Sequence, residues 1–347
     1  MSERSGLLGV PLAVEPLKRK DFTSDQEVRW CPGCGDYVIL STFQQMLADL
    51  GIKRENTVVV SGIGCSSRFP YYVNSYGLHS IHGRAPAIAT GIAATRDDLS
   101  VWVVTGDGDA LSIGGNHLIH ALRRNVNLTI LLFNNRIYGL TKGQYSPTSE
   151  AGKITKSSPY GSLDTPFNPV SLALGAEASF VARAVDSDRK GLTEILTAAA
   201  NHRGAALVEI YQNCPIFNDN AFEGYKGPAA TDSVIPLRDQ EPVVFGADGQ
   251  YCVINTAAGL QVASTADVAP ADIVVHDETR SDPALAFALS RLTGAPEQPH
   301  TPMGIFRRVA RPSYDDLLRS QVADYAASDP ERALAAVLAG PDTWTVG

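Results

Sequence analysis

The chain has 347 residues, carries a formal net charge of −8 and is 44% apolar. The apolar share suits a packed globular core and argues against disorder, whereas the acidic balance argues against a nucleic-acid-binding protein. The most apolar stretches, such as 128–133, are far shorter than the roughly 20 residues of a membrane span, so we expect no membrane segment.

Hydrophobic periodicity divides the first two thirds of the chain into alternating helices and strands. Apolar residues recur at helical spacing before Gly51, for example, and a β-branched run ends at Ser61. In chain order we predict a helix over 36–50, a strand over 57–61, a helix over 86–96, a strand over 101–105, a helix over 115–124, a strand over 128–133, a helix over 192–200 and a strand over 206–212. This alternation predicts an α/β fold whose parallel sheet is covered by helices.

The composition of the chain changes after about residue 230. Pro, Asp and Ala become common there, and the predicted strands become short. We therefore divide the chain into an N-terminal arm over 1–26, an α/β domain over 27–230 and a C-terminal extension over 231–347.

The first candidate site is the stretch GDGDALSIGG, which begins where a buried strand ends. Gly106 and Gly108 allow a tight turn, and the next helix directs its free N–H groups toward the same edge, which favours phosphate. One helix and one strand later, Asn134 and Asn135 return to that edge beside Asp107. Carboxylate, amide and carbonyl oxygens are the ligands that Mg²⁺ takes when phosphates complete its shell, so we predict a magnesium–phosphate site.

Two other phosphate or metal motifs are disfavoured at this stretch. Position 111 is Leu, where the dinucleotide-binding fingerprint needs Gly, and this disfavours NAD. A calcium-binding loop is disfavoured as well, because no Glu stands at its twelfth position.

The GDG stretch and Asn134-Asn135 together resemble the thiamine diphosphate motif. With CPGCG, GIGCSSR, HGRAPAIATG and NCP around it, the chain resembles the β subunits of 2-oxoacid:ferredoxin oxidoreductases, and most closely their 2-oxoglutarate members. The resemblance is strong over about 27–225 and continues weakly through VVHDE, MGIFRRV and RPSYDDLL. It implies a thiamine diphosphate-binding fold of the kind that binds the diphosphate end of the cofactor.

The resemblance also implies roles for individual residues. Mg²⁺ on the diphosphate is expected at Asp107, Asn135 and the backbone carbonyl of Ile137. Lys142 is expected to meet a substrate carboxylate or coenzyme A, and Arg84 the substrate or the diphosphate. Their structural alternatives are a solvent-facing loop lysine and an ion pair. Thiamine diphosphate is expected to contact Ile63, Gly64, Cys65, Ser66, His82, Gly83, Gly106, Gly108, Asp109, Gly139 and Leu140.

The five cysteines are too few and too scattered for a secreted disulfide framework, so we expect a cytoplasmic protein. Cys65 and Cys214 each follow a predicted strand, and the loop of Cys31 and Cys34 precedes a helix and can fold over the same edge. Four thiolates hold either a 4Fe–4S cluster or zinc, and the spacing leaves both open. The resemblance assigns these four cysteines to a 4Fe–4S cluster. Cys252 lies in an apolar stretch and is interpreted as a core thiol.

The reaction implied by the resemblance is the oxidative decarboxylation of 2-oxoglutarate to succinyl-CoA and CO₂, with electrons passing through the cluster to ferredoxin. Three alternatives stay open. The first is the same reaction on pyruvate or another 2-oxoacid. The second is a non-redox thiamine diphosphate decarboxylase or synthase with zinc at the cysteines, and the third is a non-enzymatic subunit that binds Mg²⁺ and a nucleotide.

Thiamine diphosphate enzymes also need a carboxylate, usually Glu, against the aminopyrimidine ring, and it comes from a pyrimidine-binding domain. The sequence has one clear α/β unit, of the diphosphate-binding kind. The resemblance places the missing domain, with its Glu, in a separate α subunit. We expect an (αβ)₂ assembly that acts on a small 2-oxoacid with coenzyme A and ferredoxin, without nucleic acid or membrane.

Overall fold

The computed structural model describes residues 5–293, 300–326 and 328–344. Its strands are β1 Thr57–Ser61, β2 Tyr76–His79, β3 Ser100–Gly106, β4 Leu128–Asn134, β5 Phe180–Val185, β6 Ala205–Tyr211, β7 Val234–Leu237, β8 Val244–Phe245, β9 Tyr251–Thr256, β10 Gly259–Ser264 and β11 Thr301–Arg308. Its helices are α1 Asp36–Leu50, α2 Phe69–Tyr72, α3 Ala85–Thr95, α4 Asp107–Leu111, α5 Gly115–Arg124, α6 Pro169–Gly175, α7 Arg189–Asn201, α8 Ala230–Ser233, α9 Ala284–Ser290, α10 Tyr314–Asp324 and α11 Pro330–Ala339.

The main sheet of the described residues has eight strands in the order β2-β1-β3-β4-β6-β5-β11-β7. The first six run parallel, which confirms the predicted α/β class. β11 pairs antiparallel with β5, so the sheet is mixed at one end. The sequence patterns missed β2 and β5, because the first is short and exposed and Arg183 interrupts the apolar run of the second.

Both faces of this sheet are covered. Val58 and Val60 of β1 belong to one apolar core with α3, α5, α6 and α9, whereas Val59 between them belongs to another with α1 and α7. Alternate residues of a strand point to opposite faces, and here each face meets a helical layer. This explains why β1, β4 and β6 are buried at every position rather than at alternate ones.

The C-terminal segment contributes to the main sheet through β7 and β11. β11 is eight residues long, although the sequence patterns predict short strands here. β8, β9 and β10 form a separate antiparallel sheet. The boundary at residue 230 stays a prediction. Residues 1–4 of the predicted N-terminal arm lie outside the described residues, as do 294–299, 327 and 345–347 of the predicted extension.

None of the helices in the described part of the chain is both long enough and apolar enough to cross a membrane.

Candidate active site

Three neighbouring parallel strands bring the predicted metal ligands to one edge of the sheet. β3, β4 and β6 lie side by side in that order. Asp107 begins α4 directly after β3, Asn135 follows β4, and Gln212 follows β6. Ligands of open α/β sheets bind at the carboxyl ends of the strands, and these three residues leave the sheet there.

A cavity at this edge gathers most of the residues predicted to hold cofactor or metal. Among them, its lining contains Ile63, Gly64, Cys65, Ser66, His82, Gly106, Asp107, Gly108, Asp109, Asn135, Ile137, Gly139 and Leu140. A larger cavity, of about 780 Å³, lies between α7, β7 and β11, away from these motifs. The chemistry of the lining, rather than the size of the cavity, makes the smaller one the candidate active site.

Asp107 is a buried carboxylate held by two hydroxyl groups. Ser146 Oγ and Thr148 Oγ1 lie 2.5 and 2.6 Å from Asp107 Oδ2. Burial raises the pKa of Asp107 to about 6, and the hydrogen bonds from Ser146 and Thr148 act in the opposite direction. A buried carboxylate gains most from a cation beside it, so this environment suits a metal ligand.

The two asparagines after β4 have different surroundings. The backbone N–H of Ile137 donates to Asn135 Oδ1 at 3.2 Å, and Asn135 Nδ2 donates to Gln212 Oε1 at 3.0 Å. Asn134 is instead fully buried, with Nδ2 donating to Glu209 at 2.7 Å. The carboxylate of Asp107, the amide of Asn135 and the backbone of Ile137 line one cavity, and this oxygen donor set fits Mg²⁺.

Asp109 ties a neighbouring loop to the cavity. The backbone N–H of Gly83 donates to Asp109 Oδ1 at 2.7 Å, and Thr105 Oγ1 donates to Oδ2 at 2.7 Å. His82 Nδ1 lies 2.5 Å from Asp109 Oδ1. The carboxylate therefore holds His82 and Gly83 in place, and their contact with a cofactor stays a prediction.

Gly108 is required by close packing. A Cβ atom there would lie 2.1 Å from Cε1 of Tyr138, whose hydroxyl donates to the carbonyl of Gly108 at 3.1 Å. Tyr138 thus lies across the start of α4, where a side chain on residue 108 would displace it.

The Cys31–Cys34 segment is a tight turn fastened to the Cys214 segment. Gly33 has φ +81°, and the N–H of Cys34 donates to the carbonyl of Cys31 at 3.1 Å, the pattern of a type II turn. The N–H of Gly35 donates to the carbonyl of Asn213 at 3.1 Å. This bond joins the end of the turn to the segment that follows β6, and the folding of the loop over a cluster stays a prediction.

Cys65 and Cys214 meet at Gly139. A Cβ built on Gly139 would lie 3.6 Å from Cys65 Sγ and 3.7 Å from Cys214 Sγ. Trp30 Nε1 donates to the carbonyl of Cys65 at 2.8 Å, which links this residue to the segment before Cys31. Of the four cysteines, Cys65 lines the candidate active site and Cys214 lies beside Gly139, which also lines it.

Burial is the largest cause of the raised pKa of the Cys34 and Cys65 thiols, and the negative charges of Asp36 and Cys214 act in the same direction. Together they raise the pKa of Cys65 to about 12. Without a cation, thiolates are unfavourable here. Within residues 5–293, 300–326 and 328–344, no three His, Cys, Asp or Glu side chains stand close enough together to hold a metal ion. The cysteine cluster therefore stays a prediction.

Arg84 and Lys142 lie at the rim. Arg84 is half-buried, and its Nη1 lies 3.4 Å from the carbonyl oxygens of His82 and Ile113, so it braces a loop. Lys142 is exposed and has φ +86°. A non-glycine residue in this backbone region is uncommon and often marks a functional or strained loop. Substrate contact by either residue stays a prediction.

Sequence reasoning missed several lining residues, namely Phe133, Tyr138, Thr141 and Gln212. Tyr138 stands between two predicted site residues and Gln212 ends a predicted strand, so position alone marks both. Ser146 and Thr148, which bind Asp107, carry no such signal, since they lie in an irregular loop.

Comparison with known proteins agrees with this geometry. Residues 62–210 match a family described as thiamine pyrophosphate enzyme, C-terminal TPP binding domain. The 2-oxoglutarate oxidoreductase subunit KorB of Mycobacterium tuberculosis is 69% identical over 97% of this chain and 91% of that protein. The 2-oxoglutarate synthase subunit KorB of Archaeoglobus fulgidus is 45% identical over 54% of this chain and 69% of that protein.

A solved structure is similar along the whole chain. It is the 2-oxoglutarate:ferredoxin oxidoreductase of Magnetococcus marinus with 2-oxoglutarate, coenzyme A and succinyl-CoA bound. It shows a TM-score of 0.77 and 35% identity, covering 96% of this chain and 100% of that one.

The fold is that of a thiamine diphosphate-binding domain, and the protein class is an oxidoreductase subunit. The chain belongs to the β subunits of the 2-oxoacid:ferredoxin oxidoreductases, since its similarity to the Mycobacterium tuberculosis protein extends over nearly all of both chains. This confirms the family that the motifs indicate.

Proposed function

We propose that this chain is the β subunit of an enzyme that converts 2-oxoglutarate, coenzyme A and oxidised ferredoxin to succinyl-CoA, CO₂ and reduced ferredoxin. The observation that carries the proposal is the meeting of two donor sets at one sheet edge. Asp107, Asn135, Ile137 and Cys65 line the same cavity, and Cys214 lies beside Gly139, another lining residue. The relatives named for 2-oxoglutarate, and the similar structure with bound 2-oxoglutarate and coenzyme A, support this substrate over pyruvate.

Asp107, Asn135 and the carbonyl of Ile137 would hold Mg²⁺ against the diphosphate of the cofactor. The cradle of Gly106 and Gly108 lets the diphosphate approach the backbone at the start of α4. The buried Asp107 supplies charge where water is excluded, which strengthens its attraction to the cation.

Cys31, Cys34, Cys65 and Cys214 would hold a 4Fe–4S cluster. Support comes from the docking of the Cys31–Cys34 turn on the Cys214 segment and from the two sulfur atoms facing Gly139. Metal coordination would offset the burial that raises the pKa of Cys65, because the metal stabilises the thiolate and the thiol proton is released to solvent.

When bound, thiamine diphosphate supplies a carbanion that attacks the keto carbon of the 2-oxoacid, and the cluster supplies one-electron steps. The role of this chain is to place the two groups together. Asp109 orders the His82–Gly83 loop at the cavity, and Lys142 and Arg84 are cations at the rim that suit a substrate carboxylate or coenzyme A.

An α subunit would complete the site with the pyrimidine-binding domain and its Glu. The long loop between β4 and α6 exposes Ile154, Tyr160 and Leu163, and exposed apolar side chains of this kind are typical of surfaces that another chain covers. We propose an (αβ)₂ assembly, with ferredoxin as the electron acceptor.

The test uses the chain co-expressed with its α subunit and purified without oxygen. Iron, acid-labile sulfide and zinc are measured first, and 2-oxoglutarate-dependent, coenzyme A-dependent ferredoxin reduction second. We expect about four irons and four sulfides per β subunit, and faster reduction with 2-oxoglutarate than with pyruvate. One zinc without iron would reject the electron path and favour the non-redox enzyme. Faster reduction with pyruvate would reject the substrate.

A further inference from the structure

A chain of buried polar contacts runs from Asp107 into the middle of the sheet. Thr148 Oγ1 lies 2.6 Å from Asp107 Oδ2 and 2.9 Å from Asn134 Oδ1. Asn134 Nδ2 donates to Glu209 Oε1 at 2.7 Å, and Arg183 Nε donates to Glu209 Oε2 at 2.7 Å. None of these five residues is more than 4% exposed, so water does not weaken the contacts.

Burying charged groups in such a network lowers the stability of the fold, so stability alone does not account for it. Removing the charges of Arg183 and Glu209 from water opposes folding, and apolar residues of similar volume often stabilise a core equally well. Arg183 is nevertheless held by two further contacts. Its Nη1 donates to the carbonyl of Pro302 at 3.2 Å, and the guanidinium lies 5.3 Å from the ring centre of Tyr211. A rigid anchor of this kind orients the groups bonded to it.

The hydrogen bonds of this network reach Asn134, which lies against Thr148, a partner of the candidate metal ligand Asp107. Glu209 holds the amide of Asn134, whose Oδ1 accepts the backbone N–H of Arg136 at 3.1 Å and faces Thr148. The Thr148 hydroxyl has one proton, and the charged carboxylate of Asp107 is its stronger acceptor, so Thr148 donates to Asp107 and only packs against Asn134 Oδ1. Ser146 contacts the same oxygen, Oδ2, which leaves Asp107 Oδ1 as the candidate cation ligand.

We infer that Thr148 and Ser146 are positioning residues that hold the Asp107 carboxylate in one orientation for Mg²⁺, and that Asn134, which Glu209 holds, packs against Thr148. The inference rests on the proposed function, because it takes Asp107 as a magnesium ligand. Partners that orient a metal ligand typically change metal affinity 10–100-fold when they are removed. Their effect should therefore fall on Mg²⁺ binding rather than on the chemical step.

The experiment compares Thr148→Val, which removes the hydroxyl at nearly constant volume, with Thr148→Ser, which keeps it. The magnesium-free complex of both subunits is titrated with Mg²⁺ in the presence of thiamine diphosphate and followed by calorimetry. We expect Thr148→Val to raise the Mg²⁺ Kd about 10–100-fold. We expect Thr148→Ser to bring the Mg²⁺ Kd back to within about threefold of wild type.

Thr42→Val is the matched control. Thr42 is also buried, but its hydroxyl has no hydrogen-bond partner in the described part of the chain and it lies on α1, outside the network. This variant should bind Mg²⁺ with wild-type affinity. Ser146→Ala provides a second variant if Thr148→Val does not fold, and it should raise the Mg²⁺ Kd in the same direction.

Asp107→Ala separates the inference from the proposed function. Loss of Mg²⁺-dependent binding in Asp107→Ala, with a Kd within twofold of wild type in both Thr148→Val and Ser146→Ala, would overturn the inference and leave the metal site standing. Unchanged Mg²⁺ binding in Asp107→Ala would reject the metal site itself, and the inference with it.

Discussion

At the scale of single residues, Cys34 and Cys252 illustrate how surroundings decide the role of a thiol. Cys252 lies in β9 with its side chain wholly within an apolar core. Cys34 ends a tight turn, and the side-chain amide of Gln212 lies 3.2 Å from its sulfur. The sequence separates the two through their neighbours, since Cys34 belongs to a CPGC motif and Cys252 to an apolar strand.

Because the surroundings of Cys34 and Cys252 differ, replacing each of them by alanine should have different effects on the iron content. In the complex of both subunits, Cys34→Ala should lower the iron content from about four to less than one per β subunit, because a cluster that loses a thiolate ligand is unstable. Cys252→Ala should retain about four irons. Iron and acid-labile sulfide analysis checks both. Full iron content in Cys34→Ala would remove this residue from the ligand set.

At the scale of elements, the junction of β3 and α4 shows why the GDG motif requires glycine. Tyr138 crosses Gly108 so closely that the two cannot both carry a side chain in these positions. Gly91 in α3 is the contrary case, because a Cβ built there meets no atom within 4 Å and the position is exposed. The sequence shows two glycines, and only the packing distinguishes them.

The two glycines should respond in opposite directions to the same substitution. Gly108→Ala should lower the free energy of unfolding by about 1–3 kcal/mol, since the added methyl group overpacks against Tyr138. Gly91→Ala should raise it by about 0.5–1 kcal/mol, because Ala is the better residue in a helix interior. Urea unfolding of the purified chain measures both. A stabilised Gly108→Ala variant would contradict the packing argument.

The end of α7 contains a histidine whose burial makes stability depend on pH. His202 Nε2 lies 2.7 Å from Ser179 Oγ, just before β5. Burial, and to a smaller extent the charge of Arg308, lower the pKa of His202 to about 4. The unfolded chain takes up a proton near pH 6.5, its ordinary value, whereas the folded chain does not until about pH 4.

Folding stability should therefore fall as the pH is lowered from about 6.5 to 4, by up to about 3 kcal/mol from this group. His202→Gln, which can keep the contact with Ser179, should flatten the dependence over this window. His120→Gln, at an exposed position of α5, should leave the slope as in wild type. Urea unfolding at several pH values measures the slopes, and equal slopes for wild type and His202→Gln would refute the assignment.

At the scale of the whole molecule, we propose that this chain provides one part of a composite active site. The candidate site lies at an open sheet edge, and the loop that borders it exposes apolar side chains such as Tyr160 and Leu163. The family to which the chain belongs is named for β subunits, which implies a partner subunit. We propose that this partner supplies the Glu carboxylate that faces the aminopyrimidine ring of the cofactor.

The purified chain alone should therefore show no 2-oxoglutarate-dependent reduction of ferredoxin. Addition of the α subunit, under anaerobic conditions and with thiamine diphosphate and Mg²⁺, should restore the reaction. Heat-treated α subunit is the control. Turnover by the chain without a partner would contradict the composite site.

The sequence by itself determined the family and the strands β1, β3, β4 and β6 with the helices α1, α3, α5 and α7, and it marked Asp107 and Asn135 as motif residues. These features are local, because periodicity, glycine turns and short motifs depend on residues close together in the chain. It did not reveal that Ser146 and Thr148 bind Asp107, or that Arg183 and Glu209 anchor Asn134.

Only the tertiary structure decided these contacts, and it also decided that β11 of the C-terminal segment extends the main sheet. Each of them joins residues far apart in the chain. Which distant polar groups meet depends on how strands align and loops return, and no spacing in the sequence encodes that packing.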